Sequence, residues 1–162
     1  NRWVYNVNPD IVVGSIKRHD LKKYNEHDFN TPEAFDALHK KGYKIVATCP
    51  HQDDYTPNEL PLDEPVAIVF GTEKTGLSDY ALEHADMYVK IPMYGFTESY
   101  NISVSAALMM YTLMQRLHNS DINWHLTEAE KEELRFDWTK KTIKRFWDYE
   151  NKFREIHPEL YK

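Results

Sequence analysis

The stretch Val66-Ala-Ile-Val-Phe-Gly71-Thr-Glu-Lys-Thr-Gly76-Leu-Ser78-Asp79 decides the fold. Val66–Phe70 is a short unbroken apolar run ended by Gly71, the pattern of a strand buried on both faces. Ser78-Asp79 opens a short helix carrying Ala81, Leu82 and Ala85, since a hydroxyl cap followed by an acid is a helix start. The same grammar repeats to either side. Upstream, Thr31-Pro32-Glu33 predicts a helix with Thr31 as N-cap and Pro32 at its first position, running through Phe35 and Leu38 to Gly42. Lys44–Cys49, with Ile45, Val46 and Ala47 in succession, is a second buried strand, and Pro50–Pro65 is an acidic loop. Downstream, Met87–Ile91 is a third strand stopped by Pro92, and Ile102–Leu117, apolar on nearly every side, reads as a buried helix. Trp3–Val7 alternates like a further short strand. Helices alternating with continuous apolar strands imply an α/β fold, with a parallel sheet covered on both faces.

From Thr127 the strand pattern stops, and Ile143, Phe146, Trp147, Phe153 and Ile156 recur at helical spacing. The expected organisation is an α/β domain over 1–120 and a C-terminal helical extension over 121–162, packing on the domain or on a second subunit. Trp138 and Trp147 read as core or subunit-interface residues. A length of 162 residues suits one domain with a real core, and 41% hydrophobic with 14% aromatic content excludes wholesale disorder. The single cysteine, Cys49, cannot form an internal disulfide, and His19, His51, His118 and His125 are too scattered for a zinc site. The longest apolar run, Ala106–Tyr111, is far too short for a membrane span. These features predict a cytoplasmic protein with no membrane partner and no metal.

The net charge of −6 speaks against a whole surface that binds nucleic acid, but the charge is uneven. Residues 53–86 carry nine acids against Lys74 alone, whereas residues 1–44 hold eight basic and six acidic side chains. Both ends are therefore free to present basic faces.

The turn Gly71–Ser78 has the geometry of an anion cradle, with helix-start amides exposed and glycine permitting close approach. Gly71-x4-Gly76 matches half of a P-loop, yet Leu77 stands where the phosphate-binding lysine must be. By residue type alone, a tight ligand-free turn accounts for the pattern as well as a ligand loop does. Glu73 tips the reading slightly, because an acid there repels phosphate but can hold loop amides or a hydroxyl-bearing ligand. In Ile91-Pro-Met-Tyr-Gly95-Phe-Thr-Glu-Ser99-Tyr-Asn101, a strand ends in proline, a glycine loop follows, and Asn101 stands as an N-cap before a helix rich in small residues. With Ala47-Thr48-Cys49-Pro50, three strand ends converge on the edge where open parallel sheets bind ligands.

Gly71-Thr-Glu-Lys-Thr-Gly-Leu-Ser, followed by Ile91-Pro-Met-x-Gly-x-x-x-Ser99-x-Asn101-x-Ser103-Val104-Ser105, closely resembles the second and third motifs of the TrmH (SpoU) branch of SPOUT methyltransferases. Lys41–Thr48 and Ala81-Leu-x-x-Ala-Asp86 match in the same order, and the similarity covers roughly residues 10–118. The resemblance implies transfer of methyl from S-adenosyl-L-methionine (AdoMet) to a ribose 2′-hydroxyl of RNA, a trefoil knot that forms the cofactor pocket, and a homodimer. Cofactor contacts then fall on Thr48, Gly71, Ile91, Pro92, Met93 and Asn101. Asn101, Ser99 and Glu73 are the candidate catalytic residues, Glu73 as a support of the knotted loop. The family's first motif, whose arginine handles the 2′-hydroxyl proton, is absent; Arg2 and Arg18 lack its context. That gap, with Asn1 where a native chain has Met, leads us to expect a domain lacking its first strand and helix.

RNA-binding candidates are Lys17, Arg18, Lys22, Lys23 and Arg116. Lys140, Lys141, Lys144 and Arg145 are expected on one helical face, although such clusters are more often simply solvated. Tyr100 departs from the leucine frequent in the family. The expected substrate is tRNA, favoured over rRNA, with a D-loop guanosine first. The alternatives are an rRNA methyltransferase of the same family, or a non-catalytic RNA-binding or dimerisation module.

Overall fold

A computed structural model describes residues 31–52, 54–97 and 99–161. The expected strand at Trp3–Val7 and the residues Arg2, Lys17, Arg18, His19, Lys22 and Lys23 lie outside them. Among the described residues, those from Thr31 to Trp124 fall in one compact unit and those from His125 in another.

In the first unit, helix α1 (Thr31–His39) buries Phe35. Thr31, expected as its cap, is already helical. The chain leaves through a turn in which Gly42, at φ +80°, donates its amide to the His39 carbonyl at 2.9 Å. Glycine takes that left-handed conformation at no steric cost. Strands β1 (Lys44–Thr48), β2 (Val66–Val69) and β3 (Met87–Val89) form a parallel sheet in the order β2-β1-β3. Lys44 stands opposite Val66, and Val46 opposite Met87. The third strand ends two residues earlier than expected. Past the Val89 carbonyl, which accepts from Cys49, the Lys90 amide turns to the Tyr55 carbonyl at 2.8 Å, leaving β1 for the 50–65 loop.

Both sheet faces are covered. Val46 and Val89 pack with Met109 and Leu113 on one face, and Ile45 packs with Phe35 and Ala81 on the other. Consecutive β1 residues thus serve opposite cores, which is why the strand is apolar throughout. The 50–65 segment is a loop as expected, but it sends a fully buried Leu60 into the first core. Helix α2 (Asp79–Glu83) is capped by Ser78, whose hydroxyl accepts from the Ala81 amide at 3.3 Å. Helix α3 (Ile102–His118) corrects the sequence reading of a buried helix. Only Met109 and Leu113 are buried, while Met110 and Tyr111 are 67% and 68% exposed. One sheet face can cover one side of a helix, and this chain supplies no described layer over the rest.

In the second unit, α4 (Glu128–Thr142) opens with a capping box. The Thr127 hydroxyl accepts from the Glu130 amide, and the Glu130 carboxylate accepts from the Thr127 amide at 2.8 Å. Helix α5 (Phe146–Ile156) follows, then a 3-10 turn over Pro158–Tyr161. Phe136 and Phe146 meet edge to face with ring centroids 5.8 Å apart, joining the two helices. The chain breaks between them at Arg145, which has φ +62°. The four basic residues therefore do not share a helical face. Lys140 and Lys141 end α4, with Lys140 paired to Asp137 at 2.5 Å, whereas Lys144 and Arg145 lie in the break and Arg145 pairs with Asp148 at 2.6 Å.

Candidate functional site

Parallel strands bring their C-terminal ends to one edge of a sheet. The segments leaving β1, β2 and β3 there, with the start of α3, line one open cleft of about 700 Å3. The tightest element is the turn after β2. Thr72 and Gly76 exchange amide-to-carbonyl bonds of 2.9 Å in both directions, and the Thr72 hydroxyl accepts from the Thr75 amide at 3.1 Å. The closed turn folds back on Gly71 so closely that a Cβ there would lie 2.2 Å from the Gly76 carbonyl carbon and 2.3 Å from the Leu77 nitrogen. Gly76 itself has φ +69°. Both glycines are thus demanded by the backbone, one by space and the other by conformation.

Asn101 joins this turn to α3. Its Oδ1 accepts from the Ser103 amide at 2.9 Å, capping the helix, while its Nδ2 donates to Glu73 Oε1 at 2.7 Å. Because a carboxylate only accepts, Glu73 fixes which way the amide faces. On the far side, the Thr48 hydroxyl donates to the Val69 carbonyl at 2.9 Å, tying the ends of β1 and β2. The cleft has two chemical characters. Phe70, Leu77, Leu82, Val89, Ile91 and Met93 make an apolar part, whereas Thr48, Lys74, Lys90, Ser99, Asn101 and Ser105 supply hydroxyls, an amide and cations. Such a surface offers a small-molecule ligand both apolar contact and a few polar partners.

The cleft therefore gathers Thr48, Gly71, Glu73, Ile91, Met93, Ser99 and Asn101. Pro92 falls between two lining residues without lining the cleft itself. Arg116 is elsewhere, in a separate hollow with Tyr111 and Gln115, where its guanidinium donates to the Pro57 carbonyl at 2.8 Å. Phe70, Leu82, Lys90 and Ser105 are lining residues that sequence reasoning missed. Phe70 and Lys90 directly follow strand ends, and Ser105 lies one helical turn beyond the Asn101 cap; those signals were present. Leu82 carried none. Among the described residues, no cluster of three His, Cys, Asp or Glu side chains could hold a metal ion.

Comparison with known proteins finds relatives of one family. A tRNA (guanosine(18)-2′-O)-methyltransferase of Borreliella burgdorferi is 45% identical over 147 residues, 91% of this chain and 66% of that protein. The chain thus spans just under two thirds of that relative's length. The crystal structure of the A. aeolicus TrmH/SpoU tRNA modifying enzyme superposes with a TM-score of 0.71 at 27% identity, covering 86% of this chain and 70% of that one. The SpoU methyltransferase AviRb from Streptomyces viridochromogenes, in complex with the cofactor AdoMet, shares the fold with a TM-score of 0.51 at 23% identity over 56% of this chain and 37% of that one. The family model of the SpoU rRNA methylases matches residues 6–111. That segment contains every residue of the cleft, and the chain belongs to the SpoU rRNA methylase family.

Proposed function

We propose that the protein transfers a methyl group from AdoMet to a ribose 2′-hydroxyl of tRNA, with the D-loop guanosine at position 18 as the acceptor. The observation that carries this reading is the Glu73–Asn101 bond, which locks the two family motifs into one cleft wall. The name of the Borreliella burgdorferi relative supplies the nucleotide.

The cleft suits the cofactor. Gly71 lets the turn backbone close to a distance any side chain would prevent. Ile91, Met93 and Leu77 offer apolar contact to an adenine ring, while Thr48 and Asn101 offer polar partners to the rest. When bound, AdoMet supplies an already activated electrophilic methyl on a sulfonium. The residues of this chain accordingly hold and orient rather than activate. Glu73 and Asn101 keep the β2 turn and the α3 terminus at a set separation. The Ser99 hydroxyl lies on the α3 side of the cleft, where a ribose or its phosphate is to be held. Lys74 and Lys90 add positive charge for phosphate.

The family resemblance extends the proposal to a C-terminal trefoil knot, to a homodimer, and to a cytoplasmic location. The uncovered apolar side of α3, with Val104, Leu108, Met110, Tyr111 and Met114 all more than a third exposed, supports the dimer. Within this scheme the α/β unit is the methyltransferase domain, and the helices beyond residue 121 are an extension of it.

Ribose methylation mapped across total RNA with and without the gene tests the assignment. Loss of methylation at tRNA position 18 alone is the expected result. Loss at an rRNA position instead transfers the activity to rRNA, and unchanged maps would falsify the enzyme reading in favour of a non-catalytic module.

A further inference from the structure

The segment between β3 and α3 carries Ile91, Met93, Ser99 and Asn101 into the cleft wall. Within it, Tyr94 and Phe96 are 95% and 110% exposed. Among the described residues no other Phe, Tyr or Trp exceeds 68%. Neither ring belongs to either hydrophobic core. Gly95 separates them, with nothing within 4 Å of where its Cβ would lie. Single exposed hydrophobics are ordinary. Two whole rings held in water on the strip that forms a ligand cleft are not explained by packing.

We propose that Tyr94 and Phe96 form a nucleobase-stacking subsite at the mouth of the cleft, taking an unpaired base next to the ribose that is methylated. The inference rests on the proposed RNA methyl transfer and adds to it the residues that grip the substrate. Three observations favour a base as the occupant. Both side chains present flat π-faces, and aromatic stacking is the general means by which proteins hold unpaired bases. Lys74 and Lys90 line the same cleft and complement the phosphates that accompany a base. Tyr94 directly follows Met93 and Phe96 stands three residues before Ser99, so both rings are carried on the strip whose flanking residues line the cleft. A second copy of this chain has a broader apolar surface available on α3.

The test uses full-length protein, AdoMet and an unmethylated tRNA transcript. Tyr94→Ala and Phe96→Ala are each expected to weaken transcript binding by roughly fivefold or more, the range of one lost base stack. Phe96→Trp is expected to retain affinity, and Phe96→Leu to lose it, because leucine keeps apolar area but has no π-face. The dependence of affinity on salt should keep its slope, since no phosphate contact is removed. AdoMet affinity should be unchanged, showing that the fold is intact. If wild type methylates the transcript and both alanine variants bind it equally well, the subsite is refuted while the methyl-transfer reading stands. Unchanged RNA affinity with an altered oligomeric mass assigns the rings to contact between copies and also overturns the inference. Should wild type neither bind nor methylate tRNA, the reading beneath the inference fails and the inference with it.

Discussion

Gly71 and Asn101 show how much a single position decides. Gly71→Ala places a Cβ 2.2 Å from a backbone carbon that has no flexible side-chain end to yield. The turn must therefore shift. We expect at least a tenfold loss of AdoMet affinity by calorimetry, accompanied by a stability loss of about 1–3 kcal/mol, as for other overpacked sites. Asn101 separates two roles. Asn101→Ala removes the cap, worth about 1 kcal/mol, together with the bond to Glu73. Asn101→Asp keeps an acceptor for Ser103 but sets a second carboxylate against Glu73. Its thermal midpoint should fall less than that of Asn101→Ala, while its AdoMet affinity falls as far or further at neutral pH. An Asn101→Asp variant with wild-type AdoMet affinity would show that the amide donor to Glu73 is not needed. The cap was legible in the sequence because it depends on Asn101 and its immediate neighbours. The bond to Glu73, 28 residues away, was not, because only the fold makes those residues adjacent.

At the scale of elements, the start of β1 depends on Asp86. Its carboxylate accepts from the Ile45 amide at 2.7 Å and from His39 Nε2 at 2.9 Å, and its own amide donates to the Ile45 carbonyl at 2.9 Å. Burial pushes the Asp86 carboxyl up, but the Ile45 amide, His39 and Lys44 outweigh it and hold it below the usual carboxylate range. A carboxylate so depressed contributes stability above its unfolded pKa of about 3.9, and that contribution is lost as pH falls through the lower folded value. Asp86→Asn should cost about 1 kcal/mol in urea unfolding at pH 7. The gap between variant and wild type should narrow below pH 4; a constant gap would assign the cost to geometry rather than charge. For α4, Thr127→Ala is expected to cost about 1 kcal/mol through loss of the capping box, read as reduced helicity on heating. Elements of this kind were largely visible in the sequence, since caps, glycine stops and apolar runs act over a few residues. Their ends were less so. β3 stops at Val89 because Lys90 bonds to Tyr55 in a distant loop, and the break between α4 and α5 holds a left-handed Arg145 that no local signal marked.

Across the whole molecule, two neighbouring methionines of α3 distinguish a buried face from an exposed one. Met109 is fully buried between α3 and the sheet, whereas Met110 is 67% exposed. Met109→Ala should destabilise the fold by about 2–5 kcal/mol. Met110→Glu should leave the unfolding of a single chain nearly unchanged and, if α3 joins two copies, shift the protein to half its mass in sedimentation. A Met110→Glu protein of unchanged mass would count against the proposed contact between copies on α3. The apolar periphery of α3 had pointed to burial, and in a single chain it is not buried. Composition along a helix shows that several sides avoid water without saying whether the same chain or another covers them.

The sequence by itself determined the parallel α/β class, the glycine turn, the capped helix and the family, because each is written in runs of neighbouring residues. Only the tertiary structure decided that the β2 turn closes on Gly71 and that Glu73 bonds to Asn101. Likewise, it alone carried Arg116 off to a different hollow, buried Leu60 from an acidic loop, and left Tyr94 and Phe96 facing water. The physical reason is the same in each case. Local backbone preference fixes an element, but which side chains meet depends on strand order and crossovers, which bring together residues whose separation along the chain carries no signal.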